Sequence, residues 1–424
     1  MTPGEGGRQG RDGFAGLDAC VHCGFCLQAC PTFLATGDEA DSPRGRIELI
    51  RALERGEFAP TDPVLAVHLD RCLGCRACEP VCPSGVRYGQ GLEAARDRLT
   101  RVRGVPRLAR VALWALTSPG VSQVVYRFAR LLRATGLPRL LAGWGRMRFA
   151  MGMLAATKAE RRKGGRAERK AWGRPSPVPP FRQSALLFRG CVMQGLFSHV
   201  HDATIRTLSV NGYEVREIPG QVCCGALHAH AGLLDEARAL ARANVAAFGD
   251  GDEPIVVNSA GCGALMKEYG HLLNDDPQGA RFGARVRDVT ELLAANGGPA
   301  PGAPLDLHVA YDPPCHLLHA QRIADPPLRV LAAIPVLRLV PVPGAADCCG
   351  SAGLFTLVEA EMSRAVLRPK LERLREAAPQ VVATGNPGCL MQLGAGLAAA
   401  RMRARVRHPV ELLDASYRAA GRYG

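Results

Sequence analysis

The chain has 424 residues, 47% of them hydrophobic and 22% charged, with a formal net charge of +14. That length predicts two or three domains. The first residues lack the apolar core of a signal peptide, and no run of about 18 uncharged apolar residues occurs, so an exported or membrane-spanning chain is not expected. Sixteen cysteines in a chain expected to be cytoplasmic then point to metal ligation rather than disulfides.

Residues 1–95 carry eight of these cysteines in two matching runs, "CVHCGFCLQACP" (20–31) and "CLGCRACEPVCP" (72–83). Each has two residues between its first three cysteines, three before the fourth, and then proline, which is the bacterial ferredoxin run. A cube of four irons and four sulfides needs four thiolates at tetrahedral corners. One tight loop supplies three, and the fourth cysteine, expected at the start of the next helix, serves the other cluster. The spacing therefore assigns Cys20, Cys23, Cys26 and Cys82 to one 4Fe-4S cluster and Cys30, Cys72, Cys75 and Cys78 to a second. Pro31 and Pro83 turn the chain away after the fourth ligand. A zinc site has no use for a three-plus-one run followed by proline, and His22, inside the first loop, reads as a bystander near solvent. Between the runs, "GDEADSPRGRIELI" places Arg44 and Arg46 near the anionic clusters. There a positive charge about 8 Å away at an effective dielectric of ~20 is worth about 2 kcal/mol. The same stretch also reads simply as a turn that starts the helix "GRIELIRALERG".

Residues 96–183 contain no cysteine and hold 21 Lys or Arg up to Arg182, against the acids Asp97, Glu160 and Glu168. "RLARVALWAL" and "VVYRFARLLRATG" read as helices, followed by a loose tail, "RRKGGRAERKAWGRPSPVPP". This basic connector has few aromatic residues for base stacking, so nucleic acid is not the expected partner. It is expected to dock on anionic lipid or on an acidic protein face, with Arg161, Arg162 and Lys163 in its tail.

Residues 184–424 hold the other eight cysteines in an internal repeat, with blocks 184–300 and 301–424. The first half gives Cys191, the pair Cys223 and Cys224, Cys262 and "VRDVTELL"; the second gives Cys315, the pair Cys348 and Cys349, Cys389 and "VRHPVELL". Apolar strands ("SALLFRGC", "YEVREIP", "EPIVVNSAGC") alternate with helices ("DATIRTLSVNG", "LLDEARALARANVAAF"). That alternation predicts two α/β lobes with parallel sheets and thiols at the strands' carboxyl ends. The expected fold is thus α+β overall: a small, mostly α two-cluster domain, a helical connector, and two repeated α/β lobes.

The C…CCG…C landmarks resemble the cysteine-rich CCG domain of heterodisulfide reductase and of membrane-associated hydroxyacid dehydrogenases. With "GDEADSPRGRI", "HLDRCLGCRACEPVCPSGVRYG", "SAGCGALMKEYG", "DCCGSAG" and "TGNPGCLMQL", the chain resembles the iron–sulfur subunits of glycolate oxidase. The broader CCG pattern usually ends in a further cysteine, but Leu265 and Gln392 stand at that position here. Each lobe's four thiols therefore leave an ordinary cluster, a zinc ion or no metal open. His228, His230, His316 and His319 follow the cysteines, either to help bind a quinone or metal or as satisfied structural histidines.

The resemblance implies an electron-transfer role beside FAD-binding subunits that oxidise glycolate to glyoxylate, with a quinone or other membrane acceptor and peripheral association with the inner face of the membrane. A subunit for lactate or glycerol-3-phosphate oxidation, and a non-catalytic redox sensor, are the alternatives. No G-x-G-x-x-G opening occurs, so neither FAD nor NAD is expected on this chain.

Overall fold

The computed structural model describes residues 14–157 and 183–423. Arg161, Arg162 and Lys163 and the rest of the connector's tail lie outside the described residues. The chain forms two compact units. The first gathers the described residues up to Leu113 with Gly225–Ala239 and Asp347–Arg368; the second holds Trp114–Cys224, Leu240–Ala346 and Pro369–Gly424.

The first unit is mostly helical, with helices Pro31–Thr36, Pro43–Glu54, Pro63–Asp70 and Tyr88–Arg103. The first three begin with proline, whose fixed φ suits the first helical position and whose missing N–H costs nothing there. Ser42 caps one by accepting from the Gly45 N–H (3.0 Å), and Asp62 caps another by accepting from Val64 and Leu65. Their apolar faces meet in a core of Ile47, Ile50, Leu53, Leu65, Leu69, Leu92 and Leu99. Gly91 lets the last helix close on Leu17, whose side chain would lie 2.6 Å from any Cβ placed there.

In the second unit, eight strands build two sheets: β1 (Gln183–Leu187), β2 (Tyr213–Glu217), β3 (Ile255–Val257), β4 (Val286–Asp288), β5 (His308–Tyr311), β6 (Arg338–Leu339), β7 (Val381–Ala383) and β8 (Arg405–Arg407). Their orders are β2-β1-β3-β4 and β6-β5-β7-β8, with every pairing parallel. The repeat in sequence is therefore a repeat in topology. β3 and β7 are buried at every residue, as parallel strands covered on both faces must be. Chain order follows the expectation at Cys191 and Cys315, each four residues past a strand end. Cys262 and Cys389 differ: β3 and β7 stop earlier, and both cysteines sit in the first turn of the helices Ala260–Lys267 and Pro387–Ala399. Pro387 forces that boundary in the second repeat.

The described part of the connector is helical: Arg107–Thr117, Pro119–Ala134, Leu137–Leu141 and Arg146–Ala156. The last packs on Pro387–Ala399, where Gly152 leaves a Cβ-sized gap 3.1 Å from Ala395.

Candidate metal centres

The two ferredoxin runs fold alike. In the first, His22 and Gly24 adopt positive φ (55° and 83°); in the second, Gly74 and Arg76 do so at the same two places (both 61°). Two left-handed residues flanking the second cysteine curl each loop so that its thiols turn inward. Glycine takes this conformation freely, while a residue with a Cβ needs outside support. His22 finds it in Glu48 (3.0 Å) and Arg51 (2.7 Å), and Arg76 in Glu79 (2.9 Å).

Cys20, Cys23, Cys26 and Cys82 line one hollow, beside Gly24, Phe25 and Arg44. Cys30, Cys72, Cys75 and Cys78 line another, beside Thr32, Arg46 and Tyr88. Cys78, Tyr88 and Pro43 belong to the walls of both. Each fourth cysteine thus lies with the three of the other run. Cys30 precedes the helix Pro31–Thr36 as expected, but Cys82 does not start a helix. It enters a turn closed by the Gly85 N–H donating to its carbonyl (3.2 Å), and the next helix waits until Tyr88. The hollows differ in exposure: Cys23 is exposed, whereas Cys30, Cys72, Cys75 and Cys78 are all buried.

Burial pushes the Cys26, Cys30 and Cys78 thiols up from their ordinary values, Cys78 furthest; Arg46 opposes the shift at Cys30. Cys75 moves the other way, because its hydrogen bond with the Cys348 thiol outweighs burial. Neutral thiols facing one another in a hollow suit ligation, in which a cation replaces the protons. Among the described residues no three cysteine sulfurs lie within 4.8 Å of one another. The trio that does meet this limit is Asp38, Asp41 and His68. Its Asp41 carboxylate is already engaged by Arg46 (3.3 Å), His68 (2.9 Å) and Arg71 (3.4 Å).

Arg46 is fully buried. It donates to the His68 carbonyl (2.7 Å) and to Thr32 Oγ1 (3.0 Å), and reaches to 3.9 Å from Cys30 Sγ. Burial alone would favour losing its proton, but Cys72, Tyr88, Cys30 and Asp41 outweigh this and hold it more firmly protonated than usual. Arg44 is tied to Glu39 (2.6 Å) and donates to the His22 carbonyl (3.2 Å). The arginines therefore both shape the loop and carry charge to the two hollows. Sequence reasoning missed Tyr88, whose hydroxyl donates to Cys72 Sγ at 3.5 Å. Burial first, then Cys72, keeps that phenol protonated. "SGVRYG" contains it, yet nothing in the spacing marks a tyrosine as a thiolate donor.

In the first CCG repeat the four cysteines come together. Cys191 and Cys223 sulfurs are 3.4 Å apart, and Cys224 hydrogen-bonds with both Cys223 and Cys262. Those hydrogen bonds and burial push Cys191 and Cys224 far up. Asn244 donates to the Cys223 carbonyl (3.0 Å) and Tyr269 to that of Cys224 (2.8 Å), fixing the paired cysteines' backbone. In the second repeat, Cys315 Sγ lies 3.5 Å from His316 Nδ1, and Asn386 donates to Cys389 Sγ (3.6 Å). Cys348 and Cys349 belong to the first compact unit. There the Gly350 N–H donates to Cys348 Sγ (3.4 Å), and Cys348 meets Cys75. Of the other histidines, His230 faces Glu93 (3.3 Å), His319 donates to the Ala346 carbonyl (3.4 Å), and His228 is buried.

Comparison with known proteins agrees with this layout. A family model described as a 4Fe-4S dicluster domain matches residues 16–86, and one described as a cysteine-rich domain matches 185–267 and 309–394. The chain is 34% identical to the probable glycolate oxidase iron-sulfur subunit of Bacillus subtilis (strain 168), covering 95% of this chain and 94% of that protein. It is 33% identical to the glycolate oxidase iron-sulfur subunit of Escherichia coli (strain K12), covering 94% and 93%. Lactate utilization protein A of Geobacillus kaustophilus (strain HTA426) is 30% identical over 54% of this chain and 98% of its own length.

Proposed function

The chain belongs to the glycolate oxidase iron–sulfur subunit family, and on that premise we propose that it transfers electrons from an FAD-binding partner that oxidises glycolate to glyoxylate toward a quinone acceptor. The observation that carries this reading is the pair of cysteine-lined hollows sharing the wall of Cys78 and Tyr88. Cys20, Cys23, Cys26 and Cys82 would hold one 4Fe-4S cluster, and Cys30, Cys72, Cys75 and Cys78 the other. A 4Fe-4S cluster supplies reversible one-electron chemistry; the protein's part is placement and tuning. Arg46 and Tyr88 place positive charge and a hydrogen-bond donor against the buried thiol set. The exposed loop of Val21, Cys23 and Phe25 offers the accessible face at which a redox partner would approach.

The convergence of Cys191, Cys223, Cys224 and Cys262 supports a further metal centre, a cluster or a zinc ion, in the first cysteine-rich repeat. Lactate utilization protein A matches over only 54% of this chain, whereas the glycolate oxidase subunits match over 94–95%, which favours the glycolate assignment. The test is to co-express the chain with its flavoprotein partner and measure anaerobic reduction of a soluble quinone analogue with glycolate, lactate and glycerol 3-phosphate in turn. Glycolate-dependent reduction that is lost with Cys75→Ser supports the proposal. Equal turnover by that variant, or turnover with lactate alone, rejects it.

A further inference from the structure

We propose that a cleft in the first compact unit binds the neutral ring of a quinone beside Cys72. This rests on the electron-transfer reading above and deepens it, by giving the acceptor a place on this chain.

The cleft encloses about 720 Å³, solvent included, which is the size of a small-molecule site. All its walls belong to the first unit, from residues 70–109, 227–231 and 352–359. It shares only Cys72 and Leu73 with the hollow of the buried thiols, and nothing with the exposed one. Arg96, on the helix Tyr88–Arg103, joins two of these walls. Its buried guanidinium donates to the carbonyls of Leu69 (2.8 Å) and Cys72 (2.6 Å) on one side and of His230 (2.9 Å) on the other. Thr100, one turn further along, donates to the Ala231 carbonyl (3.2 Å). Hydrogen bonds therefore pin the cleft's wall to the loop that carries Cys72.

The lining identifies the class of ligand. Leu73, Ala109, Leu227, Leu354, Phe355 and Val358 give the cleft apolar faces, which suit a flat hydrocarbon ring. Both arginines in the lining are engaged within the protein, Arg96 with backbone carbonyls and Arg103 with Asp70 (2.6 Å). Neither is left for a carboxylate, so the cleft favours a neutral ligand over a 2-hydroxy acid. His230 supplies the polar contact that a quinone carbonyl needs. It lines the cleft, its Nδ1 faces Glu93 (3.3 Å), and the same nitrogen lies 3.9 Å from a Cβ placed on Gly74, between Cys72 and Cys75. The imidazole thus stands where the cleft meets the loop of the buried thiols. The overall exchange balances: oxidation of glycolate to glyoxylate releases two electrons and two protons, and a quinone takes up two of each to become a hydroquinone.

The test reads binding on the full chain, purified anaerobically with its iron. The probe is 2,3-dimethyl-1,4-naphthoquinone, whose substituted ring does not add thiols, and its control is 2,3-dimethylnaphthalene, the same ring without carbonyls. The quinone should bind saturably and more tightly than the control. Val358→Trp, which fills the cleft, should weaken quinone binding at least tenfold at unchanged iron content. His230→Leu should weaken the quinone about fivefold and leave the control unchanged, which a merely structural loss would not do. A photoreactive azido derivative should label residues 227–231 or 352–359, and excess quinone should prevent this. Labelling only elsewhere, wild-type quinone affinity in Val358→Trp, or equal losses of both probes in His230→Leu would overturn the proposal. Glycolate-dependent reduction of a water-soluble dye by the chain with its flavoprotein partner separates the two readings. Dye reduction without labelling of the cleft rejects this site alone; labelling without dye reduction supports the site and rejects the electron-transfer reading.

Discussion

Cys348 lies within hydrogen-bonding distance of Cys75, so a cysteine of the second CCG pair touches a thiol of the ferredoxin-type run inside one compact unit. Hydrogen bonds to cluster sulfurs raise reduction potentials. Cys348→Ala should therefore leave the iron held by Cys30, Cys72, Cys75 and Cys78 in place while lowering its midpoint potential by tens of millivolts. Cys75→Ser should lose that iron. Redox titration followed by electron paramagnetic resonance, with iron analysis on the same samples, separates the two effects.

The two arginines should respond differently to removal. Arg46→Met removes the one fully buried cation beside the buried Asp41 carboxylate, leaving it only His68 and Arg71, and should cost about 3 kcal/mol of stability, with poor iron incorporation. Arg44 is partly exposed and paired with Glu39. Arg44→Gln should fold normally and shift the potential of the neighbouring centre downward by a few tens of millivolts, less at high salt. Thermal unfolding and potentiometric titration read the two outcomes.

Acid should weaken the second unit. Burial holds the imidazole of His201 down at about 3 and that of His408 at about 4, against an ordinary 6.5. A base depressed by folding contributes stability above 6.5 that is lost as pH falls, about 2 kcal/mol each by pH 5. Asp288 opposes this: burial raises its carboxyl to about 6, so its folded form gains a proton first and recovers about 1 kcal/mol over the same range. The net expectation is a loss of about 2–3 kcal/mol between pH 7 and pH 5. Denaturant midpoints at the two pH values should show it. His201→Gln should flatten the dependence and Asp288→Asn steepen it, with iron content unchanged in both.

Gly232 tests how the segment after the first CCG pair is seated. It has φ +74°, and a Cβ there would lie 2.5 Å from the Arg96 carbonyl. Gly232→Ala should cost about 3 kcal/mol or more, since backbone cannot yield as a side chain can. Gly37→Ala is the matched control: φ is +69° with nothing within 4 Å, so strain alone should cost about 1 kcal/mol. Melting temperatures of the two variants compare these costs directly.

Much of this was legible because thiol spacing is a local code. Two residues between cysteines constrain a loop wherever it sits, so both ferredoxin-type runs could be read from residues 20–31 and 72–83. The parallel α/β repeat was readable for a similar reason: short apolar runs alternate with amphipathic ones, and that alternation dictates crossovers. What escaped was contact between residues far apart in the chain. Tyr88 reaching Cys72, Asp41 binding Arg46, His68 and Arg71, and Cys348 meeting Cys75 depend on which surfaces the core brings together. The ends of β3 and β7 escaped too, since an apolar run does not show where a strand gives way to a helix.

The most direct test of the central claim is iron and acid-labile sulfide per chain on anaerobically purified protein, paired with the paramagnetic spectrum after reduction. The account predicts at least about eight irons with matching sulfide, a reduced spectrum of interacting 4Fe-4S centres, and loss of about half the N-terminal iron in Cys20→Ser. Zinc in place of iron, with no signal on reduction, would contradict it.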